Sequence, residues 1–265
     1  MALISAFIIA KNEEHRIARA IKSLQRVADE IIVIDSGSSD NTVKISEELG
    51  ARVVYNKWPG YVQQKIFGEK LCKHQWVLNI DADEELTDLL QDEIIAIFKS
   101  NIEDRYKAYR INFLIMHRKD VAPRLMAPSN TFIRLYNTRY ASFGNESKST
   151  THDAVLLNPG YEEQDNIYIF NYPALHYSGT SIEQLVAKAN FYSSEQAGDI
   201  LSSGRKIGKV RVISEFFLWF FKAFFVRRYY VFGFDGFVDS MIFAFARFLR
   251  LAKAREKQEM IKSKD

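Results

Sequence analysis

The chain has 265 residues, 47% hydrophobic and 26% charged, enough for a self-supporting core with room for an appendage. Twelve Gly and five Pro exclude a collagenous or broadly disordered chain; the single cysteine, Cys72, excludes an internal disulfide and fits a reducing compartment. The net charge of +3 is unevenly spread: residues 201–265 hold 14 Lys/Arg against 6 Asp/Glu and 12 of the 20 Phe, while the first 200 residues hold 22 against 27. An acidic body joined to a basic, aromatic tail is expected to face two different partners.

In chain order, residues 3–10 predict a buried strand rather than a secretory leader, because no basic residue precedes them and the run ends at Lys11-Asn12-Glu13-Glu14. Residues 13–26 predict a helix with Ile17, Ala20, Ile21 and Leu24 on one face. A strand over 30–34 runs into Asp35-Ser36-Gly37-Ser38, and a helix over 41–49 stops at Gly50. A strand over 52–55, a helix over 61–72 and a strand over 76–80 follow, the last leading into Asp81-Ala82-Asp83, with a further helix over 88–98. This alternation predicts an α/β fold: a mostly parallel sheet flanked by helices, with ligands beyond the carboxyl ends of its strands.

Beyond residue 100 the pattern is less regular. Strands are expected over 107–115, 131–136 and 167–170, with loops over 126–130 and 141–151. Helices are expected over 182–197, 209–226 and 237–253. The expected division is one domain over 1–180, in halves of about 1–100 and about 101–180, followed by a helical region over 181–265.

Two acidic strand ends carry the chemistry. Asp81 and Asp83, two apart just past a buried strand, are hard oxygen ligands suited to Mg²⁺ or Mn²⁺, which take the rest of their shell from water and substrate phosphates. The plainer alternative is an acidic start for the next helix, since Glu84, Glu85 and Asp88 follow. Asp35 with small residues after it leaves room for a ring against the backbone, or else shapes a tight connection capped by Asp40 or Asn41. Neither G-x-G-x-x-G nor G-x-x-x-x-G-K-[ST] occurs, which argues against nicotinamide dehydrogenases and P-loop NTPases.

Three stretches in register, Ile8 to Glu14, Ala28 to Thr42 and Ile80 to Glu84, resemble family 2 glycosyltransferases of the GT-A fold. Trp58-Pro59-Gly60-Tyr61 with Gln63-Gln64-Lys65 is similar to a stretch of the lipopolysaccharide inner-core subgroup. The resemblance implies a nucleotide-sugar donor, with a UDP-sugar favoured, a divalent metal, and inversion at the anomeric carbon. It also implies that 1–180 is the catalytic domain, its first half binding the nucleotide and its second the acceptor. By matching position it implies that Asp35 contacts the nucleoside, that Ala10, Asn12 and Glu13 frame the base, and that Lys65 sits near the donor. Asp81, Ala82 and Asp83 would hold the metal–diphosphate, with His176 completing the metal shell or touching the diphosphate, a structural His after a strand being the plainer alternative. Asp153, where the subgroup usually carries Glu, would be the catalytic base: an exposed carboxylate is ionised at neutral pH and can accept the attacking hydroxyl's proton. The chain departs from the subgroup at Ile66, which replaces an Asn, and at Leu125-Met126-Ala127-Pro128, which replaces a Trp-Tyr-Pro stretch.

The tail adds a partner. Phe237, Val238, Met241, Ile242, Phe245, Phe248 and Leu249 repeat with helical spacing, and residues 216–226 are apolar almost all round. No run reaches the roughly 20 uncharged residues needed to span a bilayer. A helical hairpin lying on a membrane surface through residues 209–255 accounts for Phe, Trp and Arg together; packing on the catalytic domain or on a second copy is the plainer alternative. Nucleic acid is not expected, since the basic residues form no stripe.

The leading expectation is therefore an inverting, metal-dependent transferase, cytoplasmic and peripheral on the inner face of the cell membrane, acting on a lipid-linked saccharide. A phosphohydrolase of the haloacid dehalogenase type is disfavoured because its Asp-x-Asp usually follows the first strand. A non-catalytic membrane scaffold derived from a transferase is the alternative.

Overall fold

The computed structural model describes residues 2–100, 102–144, 154–177 and 181–262. The chain divides into two compact units, Met1–Leu114 with Asn130–His176, and Ile115–Ser129 with Tyr177–Asp265.

The first unit is built on β1 (Ile4–Ala10), α1 (Ile17–Leu24), β2 (Glu30–Asp35), α2 (Thr42–Glu48), β3 (Arg52–Tyr55), α3 (Tyr61–Leu71), β4 (Trp76–Asp81), β5 (Glu84–Leu86) and α4 (Asp88–Lys99). It continues with β6 (Ala108–Ile115), β7 (Ser129–Asn137), β8 (Ala141–Phe143), β9 (Val155–Leu157), α5 (Glu163–Asn166), β10 (Ile167–Ile169) and β11 (Ala174–His176). Among the described residues nine strands form one sheet in the order β3-β2-β1-β4-β7-β6-β11-β5, with β10 beside β6, while β8 and β9 pair separately. The sheet is mixed. Strands β1 to β4 are mutually parallel where they pair, and β7 joins β4 antiparallel.

Every residue of β1 is buried because both sheet faces are covered. Successive side chains alternate between the faces. Ile4, Ala6 and Ile8 pack with Ile17, Ile21 and Leu24 of α1 and Leu90, Ile94 and Phe98 of α4. Phe7, Ile9, Ile32 and Ile34 lie on the other face with Ile66 of α3. Each such aliphatic or Phe side chain contributes about 1.5–3 kcal/mol on burial. Helix α3 lies close against the sheet: a Cβ on Gly68 would stand 2.6 Å from Cδ2 of Phe7.

The second unit contains α6 (Ile182–Ser202), α7 (Lys209–Phe221), a π turn over Lys222–Val226, a 3₁₀ turn over Tyr229–Phe232 and α8 (Gly233–Lys262). The three helices expected from sequence are present, α8 running beyond 237–253 at both ends, and α8 packs against both α6 and α7 rather than pairing with α7 alone. Ala197, Ile207, Val212, Leu251 and Ala254 form its small core. Glu215 of α7 is buried, accepting from Nε1 of Trp219 at 3.0 Å and from Arg250 at 2.7 Å. The excursion over 115–129 belongs to this unit: Arg118 donates to buried Asp239 at 2.9 Å, and Arg124 donates to the carbonyl of Val231.

Candidate functional site

The parallel register puts Ala10 opposite Asp35 and Ile9 opposite Asp81, so three strands of the first unit end in one row. Chain breaks out of the sheet at that row, and its loops carry most of the expected site residues.

At the β2 end the carboxylate of Asp35 is buried and turned inward. It accepts from the backbone N–H of Gly37 at 2.8 Å and of Ser38 at 3.0 Å, and from the Ser38 hydroxyl. The β1 and β2 loops are then tied together. The N–H of Asn12 donates to Oγ of Ser38 at 2.9 Å, its Oδ1 accepts from the N–H of Ser39 at 2.8 Å, and the N–H of Glu13 donates to Oγ1 of Thr42 at 2.7 Å. Asn12 holds φ +56°, a left-handed conformation that Asn tolerates. The tight-connection reading of this loop is seen: Asp35 shapes the turn, and Asp40, one residue before the N-cap Asn41, accepts from the N–H of Thr42 at 3.0 Å.

Helix α3 supplies the middle of the row. Gly60, at φ +110°, lets the chain turn into it, and the Trp58 ring stands edge-on to Tyr61 at 4.7 Å. Gln64 is fully buried, donating to Oγ of Ser36 at 3.0 Å and accepting from Asn56 at 2.7 Å. The next residue, Lys65, is also buried and reaches Oδ1 of Asp81 at 2.8 Å.

At the β4 end a turn at Ala82–Asp83 separates the two carboxylates, although a spacing of two would let both point to the same side of a strand. Ala82 is buried between them. Asp81 takes Lys65 on one oxygen and Arg134 on the other, each at 2.8 Å. Burial alone would raise its pKa, but the two cations beside it overcome this and hold it well below the usual carboxylate range. Asp83 faces the other way, with Arg16 and His176 each at 3.5 Å. Burial opposes its charge too, and His176 beside it holds its pKa below normal. Conversely, burial would lower the His176 pKa, and the Asp83 carboxylate raises it. The acids do not cap the next helix; Thr87 does, its Oγ1 accepting from the N–H of Leu90 at 3.3 Å.

Arg134 and Glu84 were missed by the sequence reading. Arg134, buried in β7, donates to Asn79 at 3.0 Å, Asp81 at 2.8 Å and Glu84 at 2.6 Å, with the rings of Phe113 and Phe132 stacked about its guanidinium. The available signal was a lone cation inside the apolar run Phe132-Ile133-Arg134-Leu135-Tyr136, which requires a buried acid opposite. Burial raises the Glu84 pKa against the pull of Arg134.

A cavity of about 550 Å³ opens beside this cluster, lined by Asp81, Glu84, Arg134 and His176 on its polar side and by Phe132, Phe143 and Val155 on its apolar side. Strands β8 and β9, within or beside the stretch expected to be loop, build part of that wall. Asp153 and its neighbour His152 lie outside the described residues; Ala154, the next residue in the chain, lines the cavity.

A divalent cation fits the donor set. Asp81 and Glu84 are answered by the buried cations Lys65 and Arg134, while Asp83 stands beside His176 and Arg16, the latter paired with Glu13 as well. Nδ1 of His176 is buried with no hydrogen-bond partner among the described residues, and Nε2 sits beside the Asp83 carboxylate. Among the described residues no group of three or more His, Cys, Asp or Glu side chains converges, so water and phosphate oxygens would have to complete the shell.

Known proteins similar to this chain fall in one family. The family described as glycosyl transferase family 2 matches residues 5–146. An uncharacterized glycosyltransferase of Rickettsia felis is 61% identical over all of this chain and 93% of its own length. A lipopolysaccharide core biosynthesis glycosyltransferase, LpsC, of Rhizobium meliloti is 26% identical over 97% of this chain and 93% of its own. A solved glucosyl-3-phosphoglycerate synthase from Mycobacterium tuberculosis, in complex with Mn²⁺, UDP and glucosyl-3-phosphoglycerate, is similar over 43% of this chain and 44% of that one, at 23% identity and a TM-score of 0.36.

Proposed function

The chain belongs to glycosyl transferase family 2, and from that premise we propose that it moves a sugar, with inversion, from a nucleoside diphosphate sugar to a hydroxyl of a lipid-linked saccharide at the inner face of the cell membrane. The observation that carries the reading is the split acidic pair, Asp81 pinned by two cations and Asp83 left beside His176, with Asp81 and His176 lining a cavity large enough for a sugar. A UDP-sugar is the favoured donor. A lipopolysaccharide-core acceptor draws support from the full-length likeness to the Rhizobium meliloti transferase.

In this reading the loops after β1 and β2 hold the nucleoside, with Ala10, Asn12 and Glu13 framing the base and Asp35 keeping the pocket's shape from within. Asp83 and His176 would hold Mg²⁺ or Mn²⁺, which when bound offsets charge on the departing diphosphate. The protein's own part is positional. Lys65 and Arg134 fix Asp81, and Arg16 fixes Asp83, so these charges need little rearrangement as the sugar–phosphate bond breaks. The acceptor oxygen attacks the anomeric carbon from the face opposite the diphosphate, and Asp153 takes its proton.

The test is thermal stabilisation by UDP, GDP, CDP and dTDP, each with and without Mn²⁺, on the wild type, Asp83→Ala and Asp153→Asn. At 100 times its dissociation constant one nucleotide should stabilise by about 2.7 kcal/mol. That shift should need the metal, vanish in Asp83→Ala and survive in Asp153→Asn, which should lose only turnover. A folded wild type that responds to none of the four nucleotides sinks the proposal and favours the scaffold.

A further inference from the structure

In the second unit, α7 presents the wrong face to water. Val210, Ile213, Phe217 and Phe221 follow one another at helical spacing, and all are exposed, Phe217 at 67% and Phe221 at 59%. The stripe continues past the helix. Phe221 packs on Phe225 of the π turn at 5.0 Å, Phe225 on Phe224 at 5.0 Å, Phe224 on Phe237 at 6.1 Å, and Phe237 on Phe234, which is 79% exposed. The result is a continuous ridge of rings from α7 through the π turn to the start of α8. A solvated helix gains nothing from such a ridge, and exposed apolar surface of this kind marks an interaction site.

The charge beside it says what the ridge meets. Between residues 209 and 228 five Lys/Arg stand against one acid, Glu215, and that acid is buried and already bonded to Trp219 and Arg250. The Trp219 ring lies among three cations, Arg247 at 4.0 Å, Lys222 at 4.5 Å and Arg227 at 5.8 Å. An aromatic ridge with a basic border fits a lipid surface whose headgroups are negative. A two-fold pairing of this face with a second copy would bring that basic border against itself. Crossing the bilayer is not the alternative, since no helix among the described residues is long and apolar enough.

We propose that the Phe ridge of α7 and the π turn is a docking surface for an anionic lipid bilayer, with the rings seated at the headgroup–acyl boundary and Lys222, Arg227 and Arg228 against the headgroups. The proposal narrows the region expected from sequence, 209–255, to the part that is exposed. It deepens the transfer reading by naming how the enzyme reaches a lipid-linked acceptor, yet its geometry lies wholly within the second unit.

The full chain is sedimented with vesicles of phosphatidylcholine alone and of phosphatidylcholine with phosphatidylglycerol. Binding is expected to the mixed vesicles, to weaken about fivefold in Arg227→Ala, as for one cation removed from near the surface, and to be lost in Phe217→Glu/Phe221→Glu. These positions are exposed, so the double variant should keep the wild-type melting curve; nucleotide-induced stabilisation is followed in parallel. A folded wild type that stays in the supernatant with both vesicles overturns docking whether or not nucleotides bind. A dimer that the double variant dissociates, with no vesicle binding, assigns the ridge to a second copy instead. Equal sedimentation with both vesicle types overturns the preference for anionic lipid.

Discussion

The two units of this chain dispose of charge and apolar surface in opposite ways. In the sheet unit both are inside: β1 is buried along its whole length, and Lys65, Glu84 and Arg134 are buried with it, each answered by a partner of opposite charge. In the helical unit two buried acids, Glu215 and Asp239, are answered in the same manner, but Phe217 and Phe221 of α7 are left outside. A buried charge network fixes positions at the cost of desolvation, which is useful where a reaction needs fixed dipoles. An uncovered apolar face fixes nothing until a second surface arrives. The first unit is finished by folding, and the second is finished by what it meets.

The largest expected effect comes from breaking the network. Arg134→Met removes the cation shared by Asp81 and Glu84 and should cost about 3–5 kcal/mol of stability, as for a buried pair deprived of one partner. Chemical denaturation measures it, and a loss below about 1 kcal/mol would show that Arg134 is not holding the cluster together. A smaller contrast compares packing in the two units. Gly68→Ala drives a methyl into Phe7 and should cost about 1–3 kcal/mol. Phe217→Ala removes a much larger group from the α7 ridge and should change stability by no more than about 0.5 kcal/mol. If the Phe217 change costs as much as the Gly68 change, α7 is covered and the contrast fails.

The smallest effect is a pH dependence within the sheet unit. Burial works against the Glu30 carboxylate, yet Ser5, Lys73 and Arg52 around it hold its pKa below the usual 4.5. Its contribution is therefore fully present above 4.5 and fades as the pH falls through the lower folded value. Glu30→Gln should flatten the acid limb of stability and leave the neutral plateau less affected. Urea midpoints between about pH 3 and 7 decide this, and identical acid limbs in both proteins would refute it.

Much of this architecture was legible because its signals are local. The strand at 52–55 and the helix start at Asp88 coincide with the sequence reading, and the apolar stripe of α1 reads directly as its buried face. Strand β5 was not legible. Glu84 and Glu85 look like the acidic opening of a helix, and only pairing with β11 and the cation of Arg134 make them a strand. The same non-local cause hid the division between Asp81 and Asp83: the spacing is in the sequence, but the partners that separate them come from the residue before α1 and from α3, β7 and β11. Strand β8 escaped notice because three residues carry too short a pattern to read.

Helix α3 presses so closely on the sheet that Gly68 has no room for a methyl, and its consecutive residues Gln64 and Lys65 grip different loops. Gln64 holds the turn after β2 through Ser36, and Lys65 holds the end of β4 through Asp81. Adjacent Cα atoms are about 3.8 Å apart whatever the surroundings. The helix therefore works as a caliper, tying the turn after β2 to the end of β4 through side chains one inextensible peptide unit apart.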